Sequence, residues 1–350
     1  MYTQLDTKRT NIETKHLVSQ MAMKVVGQED AVTTLLNLVE MYRAGFCAPR
    51  RPAGNALFLG PTGSGKTRVI EALAESLFGN ARACIKIDCA EFQHSHEVAK
   101  LIGSPPGYLG HRDTQPVLTQ EALNQFHTEK LKLNIVLFDE IEKASDALWS
   151  LLLGILDKAV LTLGDNRKVD FSQSIIVLTS NLGAHQMQQE INGRIGFQKA
   201  AEAEVVEQAK LDAIARAAAK SKFTPEFMNR LQHINVFHTL TPEHLEKVLD
   251  LELDTLKNYI IAHAAVKVFF NVTKSAKKRI LAEGFDPKYN ARYLQRTITR
   301  LITQPLAQLA SSGQVKDTDV VLIQDTGKET LDFYLEDRPS ASNIPLWRLT

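Results

Sequence analysis

The eight residues Gly60-Pro61-Thr62-Gly63-Ser64-Gly65-Lys66-Thr67 constrain this chain most, because they fit G-x-x-x-x-G-K-[ST] directly after the apolar run Ala56-Leu57-Phe58-Leu59. A strand, a glycine-rich turn and a helix start in that order make a phosphate-cradling loop. Its glycines let backbone N–H groups turn inward around phosphates, Lys66 can reach the outer phosphates, and Thr67 can offer its hydroxyl to Mg²⁺. The helical run Thr67 to Glu75 supplies the context that separates such a loop from an ordinary turn. A purine nucleoside triphosphate is the implied ligand.

A second phosphate-site element follows at Asn134-Ile135-Val136-Leu137-Phe138-Asp139-Glu140, an apolar run suited to a buried parallel strand and ending in two carboxylates. Open α/β sheets bind their ligands at such strand ends. Asp139 is placed to hold the Mg²⁺ shell and Glu140 to polarise a water for attack on the γ-phosphate, so the pair points to hydrolysis as well as binding.

With 350 residues and 44% hydrophobic content the chain can bury a sizeable core, in two domains. A net charge of +1 gives no global pull toward nucleic acid and weighs against that partner. Cys47, Cys84 and Cys89 are odd in number and lack metal-ligand spacing, which predicts packed, reduced thiols. No secretory h-region opens the chain and no stretch approaches the length of a membrane span, so no membrane is expected and the cytoplasm is the default compartment.

Helical periodicity covers Gln28 to Arg43, and strands are expected at 56–60, 84–88, 134–139 and 174–180. Helices alternating with these strands predict a three-layer αβα domain with a mostly parallel sheet. After about residue 240 the pattern changes to helices at 242–264, 273–283 and 292–312, with short strands near 266–271, 319–324 and 330–335, so a smaller, mostly helical domain follows. Ala200 to Lys222 reads as a plain exposed helix.

Taken together these motifs resemble the Clp-type AAA+ ATPases, and most of all the second ATPase module of the ClpA, ClpB and ClpC unfoldases, over roughly residues 20–330. The resemblance divides the chain into a large ATPase domain (1–240), a Clp-type C-terminal small domain (241–336) and a tail (337–350), and it makes the nucleotide ATP. Val25-Val26-Gly27-Gln28 matches the segment that encloses the adenine, with Val25 and Val26 as the apolar contacts. Thr179-Ser180-Asn181-Leu182-Gly183 matches the sensor 1 strand end, which implies that Asn181 orients the attacking water. The segment Phe223 to Arg230 is similar to the arginine-finger segment, so Arg230 would act in a neighbouring subunit's site and a ring of copies, conventionally a hexamer, would follow. Gly284 to Arg292 resembles sensor 2, with Arg292 reaching the nucleotide of its own subunit; Asn290 stands where the family usually has glycine.

Within Gly103 to Gly110, the resemblance makes Tyr108 and Leu109 the pair that grips an extended polypeptide in a central pore. The chain departs from the family after Gly110, at His111-Arg112-Asp113-Thr114-Gln115, and in the second pore-loop region, Asp157 to Arg167, where usual glycines are missing. The family's amino-terminal domain, first ATPase ring and inserted coiled coil have no counterpart in these residues. Substrates, unfolded or tagged proteins, would then be recruited by the pore, by an adaptor or by another polypeptide. Ile195-Gly196-Phe197 resembles the loop through which ClpA, ClpC and ClpX dock on the Clp peptidase. The expected function is an ATP-driven unfoldase or remodelling chaperone working as a single ring. The alternative is a nucleotide-switched assembly factor, a loader of nucleic acid or of complexes, with little threading.

Overall fold

The computed structural model describes residues 6, 11–104, 116–192, 201–284 and 291–336. They belong to two compact units, Met1–Thr239 and Leu240–Thr350. Tyr108 and Leu109, and also Ile195, Gly196 and Phe197, lie outside the described residues.

The first unit opens with helices α1 (Ile12–Lys24) and α2 (Glu29–Arg43). Asn11 starts α1 by accepting the Thr14 N–H at 2.7 Å, and Leu17 and Met21, one turn apart, bury its inner face. Strand β1 (Gly54–Leu59) runs through the glycine loop into α3 (Lys66–Phe78), which is followed by β2 (Ile85–Asp88). Two short helices, α4 (Ala99–Ile102) and α5 (Gln120–Asn124), lead to β3 (Asn134–Asp139) and then α6 (Asp146–Lys158). A hairpin of β4 (Val160–Thr162) and β5 (Lys168–Asp170) precedes β6 (Ser174–Ser180), α7 (Ala184–Asn192), α8 (Ala201–Lys222), α9 (Pro225–Met228) and β7 (His233–Val236).

Five of these strands form one sheet in the order β2-β3-β6-β1-β7, parallel throughout. Every residue of β1 and β6 is buried, as a sheet covered on both faces requires. The two-residue period then sorts the side chains. Leu57, Leu59, Phe138 and Leu178 pack with Leu152 of α6 and Ala215 of α8, whereas Phe58, Leu137 and Val177 pack with Leu35 of α2 and Ile70 and Leu73 of α3. Each fully buried large side chain contributes about 1.5–3 kcal/mol, so the strands are held firmly from both sides. Their carboxyl ends, where the glycine loop, Asp139-Glu140 and Asn181 emerge, are fixed with them.

The first unit departs from the sequence expectation in three places. The edge strand β7 and the β4–β5 hairpin were not foreseen. Helix α8 is not a plain exposed helix either: Leu211, Ala215 and Ala219 are buried, at 5% exposure or less, in the core beneath the sheet. Small alanines allow that close approach without carrying a strong hydrophobic signal.

The second unit contains α10 (Pro242–His263), β8 (Phe269–Val272), α11 (Lys274–Gly284), α12 (Ala291–Ile298), α13 (Gln304–Ser311), β9 (Val320–Gln324) and β10 (Asp332–Leu335). Thr241 caps α10, with Pro242 at the first helical position, where its missing N–H costs nothing. A single helix was expected over 292–312, but a π turn at Thr299–Thr303 joins α12 to α13. Pro305 explains it, since a proline cannot donate to the carbonyl four residues back and crowds that turn. The small sheet runs β10-β9-β8, with Phe270, Val321 and Ile323 facing a core completed by Leu249, Ile280 and Ile302. Among the described residues no helix is long and apolar enough to cross a membrane.

Candidate active site

The glycine loop begins where β1 ends, and Gly60 there cannot be replaced without strain. Its φ is +145°, and a Cβ at this position would stand 2.4 Å from the Phe237 carbonyl oxygen. The same contact region carries two strand-like bonds, Gly60 N–H to Ser180 O at 3.2 Å and Phe237 N–H to Leu59 O at 2.7 Å. Gly60→Ala should therefore destabilise the first unit by about 2–4 kcal/mol, read as a fall of several degrees in its thermal midpoint. An unchanged midpoint would show that the loop does not need this close approach.

Lys66 opens α3 and is buried at 8% exposure. Its Nζ donates to Gly60 O at 2.7 Å, Pro61 O at 2.9 Å and Asn181 Oδ1 at 2.9 Å, so the ammonium lies inside the curve of its own loop. Ser64 closes the turn by donating its hydroxyl to Pro61 O at 2.8 Å. Thr62 donates to Asn181 Oδ1 at 3.4 Å, and Thr67, in the first turn of α3, is half-buried.

Asp139 ends β3 with both carboxylate oxygens engaged. Thr179 donates its hydroxyl to Oδ1, and Lys86 of β2 lies 2.9 Å from Oδ2. Burial raises the pKa of this carboxyl, but the hydrogen bonds from Thr179 and Lys86, together with the charges of Lys86 and Lys66, hold it below the ordinary carboxylate value. It is ionised at neutral pH. Glu140 follows in the left-handed region, φ 55° and ψ 48°, a conformation that costs a non-glycine residue about 1–3 kcal/mol. That turn moves its side chain out of the strand's alternation. Glu140 pairs with Lys143 and accepts from Asn181 Nδ2 at 3.3 Å.

Asn181 thus joins the two phosphate elements: its Oδ1 accepts from Lys66 and its Nδ2 donates to Glu140. Its own N–H donates to Glu142 Oε1 at 3.1 Å, which fixes the backbone from which the amide projects.

Arg230 lies elsewhere. Its carbonyl accepts from Asn55 at the start of β1, so it stands at the opposite end of that strand from the glycine loop. Its guanidinium donates to Glu226 O at 2.9 Å and pairs with the Glu226 carboxylate at 3.1 Å, and its Nε is 3.8 Å from Asp157. Val25 and Val26, half-buried at the α1–α2 junction, precede the loop, and Val25 packs on the core that α1, α2 and α3 share. Arg292 belongs to α12 in the second unit, and its side chain lies outside the described residues.

Sequence reasoning gave three residues no role of their own. Lys86 and Thr179 fix Asp139, and Gln28 donates to the carbonyls of Ser64 at 3.0 Å and His238 at 3.1 Å. The alternating strand Ile85-Lys86-Ile87-Asp88 was the available signal for the lysine, since its charged positions point away from the core.

Residues 51–234 match the family described as "AAA domain (Cdc48 subfamily)", and residues 240–323 match the "C-terminal, D2-small domain, of ClpB protein". The chain belongs to the Clp-type AAA+ ATPases. Within that family it is similar to the ATP-dependent Clp protease ATP-binding subunit ClpC of Staphylococcus aureus strain USA300, at 38% identity over 97% of this chain and 40% of the relative. ClpC of Staphylococcus saprophyticus is 38% identical over 87% of this chain and 36% of the relative. A cryo-EM reconstruction of the closed state of Hsp104 with ATPγS and FITC casein matches with a TM-score of 0.75 and 29% identity, covering 93% of this chain and 53% of that one. The chain therefore spans less than half the length of these curated relatives. A Clp-type AAA+ ATPase binds ATP, and the five-stranded parallel sheet followed by a small C-terminal domain is the architecture of such a module.

Proposed function

We propose that this Clp-type ATPase hydrolyses ATP in order to unfold or remodel proteins, working as a single ring of copies that draws polypeptide through its centre. The observation that carries the hydrolysis is the Asn181 amide, which touches Lys66 on one side and Glu140 on the other. A water held beside Asn181 and Glu140 faces the γ-phosphorus cradled by Lys66. Glu140 takes the proton as the water oxygen attacks, and the bond to the β-phosphate breaks to leave ADP and phosphate. Mg²⁺ fits the donor set: the ionised Asp139 and the Thr67 hydroxyl are hard oxygen ligands, and this ion commonly relies on one or two protein groups, waters and phosphates. Bound there it would neutralise charge on the phosphates.

The remodelling reading draws on the relatives, one named as a subunit of a protease and one imaged with casein. It also draws on the setting of the segment that carries Tyr108 and Leu109. That segment leaves and re-enters the fold at one place: a Cβ on Gly103 would lie 3.6 Å from Pro116, and Leu118 N–H donates to Leu101 O at 3.1 Å. The β4–β5 hairpin braces this base, with Gly164 N–H donating to Ile102 O at 2.8 Å and no room for a Cβ, which would meet Gly103 O at 2.5 Å. If Tyr108 and Leu109 grip a chain, a base braced in this way gives them something to push from.

Tyr108→Ala should keep basal ATPase and reduce unfolding of a tagged fluorescent protein by roughly tenfold or more, since the aromatic face supplies most of the contact. Unchanged unfolding would remove the pore assignment and leave the nucleotide-switched assembly factor. A Clp peptidase is the partner to test at Ile195, Gly196 and Phe197, and Arg292 is proposed to sense nucleotide.

A further inference from the structure

Gln28 takes no part in the chemistry above, yet it is buried at 6% exposure. Its Nε2 has two hydrogens and two acceptors: Ser64 O inside the glycine loop, at 3.0 Å, and His238 O, at 3.1 Å. His238 follows β7 and is the penultimate residue of the first unit. One residue earlier, the Phe237 backbone is the surface against which Gly60 is pressed. The loop and the chain leaving β7 therefore meet twice, once through backbone packing and once through this amide. The His238 ring is anchored separately, 3.2 Å from Asp212 of α8, so Gln28 alone among these contacts joins His238 to the loop.

We infer that Gln28 is a positioning residue that ties the nucleotide loop to the segment Phe237–Thr239, so that nucleotide held by the loop also orders the chain as it leaves the first unit. This rests on the reading of Gly60–Thr67 as the ATP site. Ser64 O is buried here and His238 O partly so, and a carbonyl out of water that loses its donor is unfavourable, which makes the two acceptors respond together to the position of one amide. Movement of Ser64 toward or away from a phosphate then bears directly on His238 O.

Hydrogen–deuterium exchange of the full chain with and without ATPγS tests it. In the wild type, nucleotide should slow exchange at 60–67 and also at 237–239. In Gln28→Met, which keeps the side chain's bulk and removes its donors, protection at 60–67 should persist while protection at 237–239 is lost, and a fluorescent ATP analogue should bind roughly tenfold more weakly. Equal protection of 237–239 in wild type and variant would overturn the tether. The wild-type experiment decides even if the variant does not fold: protection at the loop alone overturns the tether, and protection at neither segment overturns the loop reading with it.

Discussion

Glu140→Gln will retain ATP binding and lose turnover by a factor on the order of 10³, the span that a positioned general base contributes. The substitution is nearly isosteric and leaves an oxygen to accept from Asn181 Nδ2, so the left-handed turn and the sensor contact can both survive. What disappears is the carboxylate proposed to take the proton from water. The ion pair with Lys143 goes with it, but a half-exposed pair of this kind is worth about 0–1 kcal/mol and does not threaten the fold. Binding of a fluorescent ATP analogue and phosphate release, measured on the same preparation, separate the two effects. Turnover within a few fold of wild type would remove Glu140 from the base position and return attention to Glu142, whose Oε2 is buried without a hydrogen-bond partner among the described residues.

The elements that were legible in the sequence are those whose physics is local. β1, β3 and β6 are continuous apolar runs because both faces are covered, and the glycine loop announces itself by spacing. β7 has no such signature: all four of its residues are half-buried at a sheet edge, and His233 and Asn235 interrupt the apolar pattern. β4 and β5 are three residues each with one buried position, too short for periodicity to register. Within the site, Lys66, Asp139, Glu140 and Asn181 were named through motif position, and hydrogen bonds run from Lys66 through Asn181 to Glu140 and, by way of Thr179, to Asp139. Gln28 and Lys86 escaped because their meaning lies in partners far along the chain, up to 210 residues away for Gln28 and His238. A helix-entry glutamine and a strand lysine look ordinary until the fold closes on them.

Arg230→Ala should lower ATP turnover by roughly 10³ or more while leaving nucleotide affinity nearly unchanged, if the guanidinium acts on a neighbouring copy's γ-phosphate. The geometry argues for action in trans. Arg230 is bonded to Asn55, and the loop at Gly60 lies five strand residues on, about 16 Å, at the far end of β1. An arginine anchored there does not reach the loop of its own chain. Its present partners, Glu226 and Asp157, have exposed carboxylates, so the ion pairs given up for a phosphate on another copy are weak ones. Mixing separates this from a local packing defect. Neither Arg230→Ala nor Glu140→Gln should turn over ATP alone, but a one-to-one mixture places an intact Glu140 beside an intact Arg230 at roughly a quarter of the interfaces of a ring. Turnover should return to about that fraction of the wild-type rate. Absence of recovery in particles proven by mass to contain both variants would confine Arg230 to its own chain and remove the shared site.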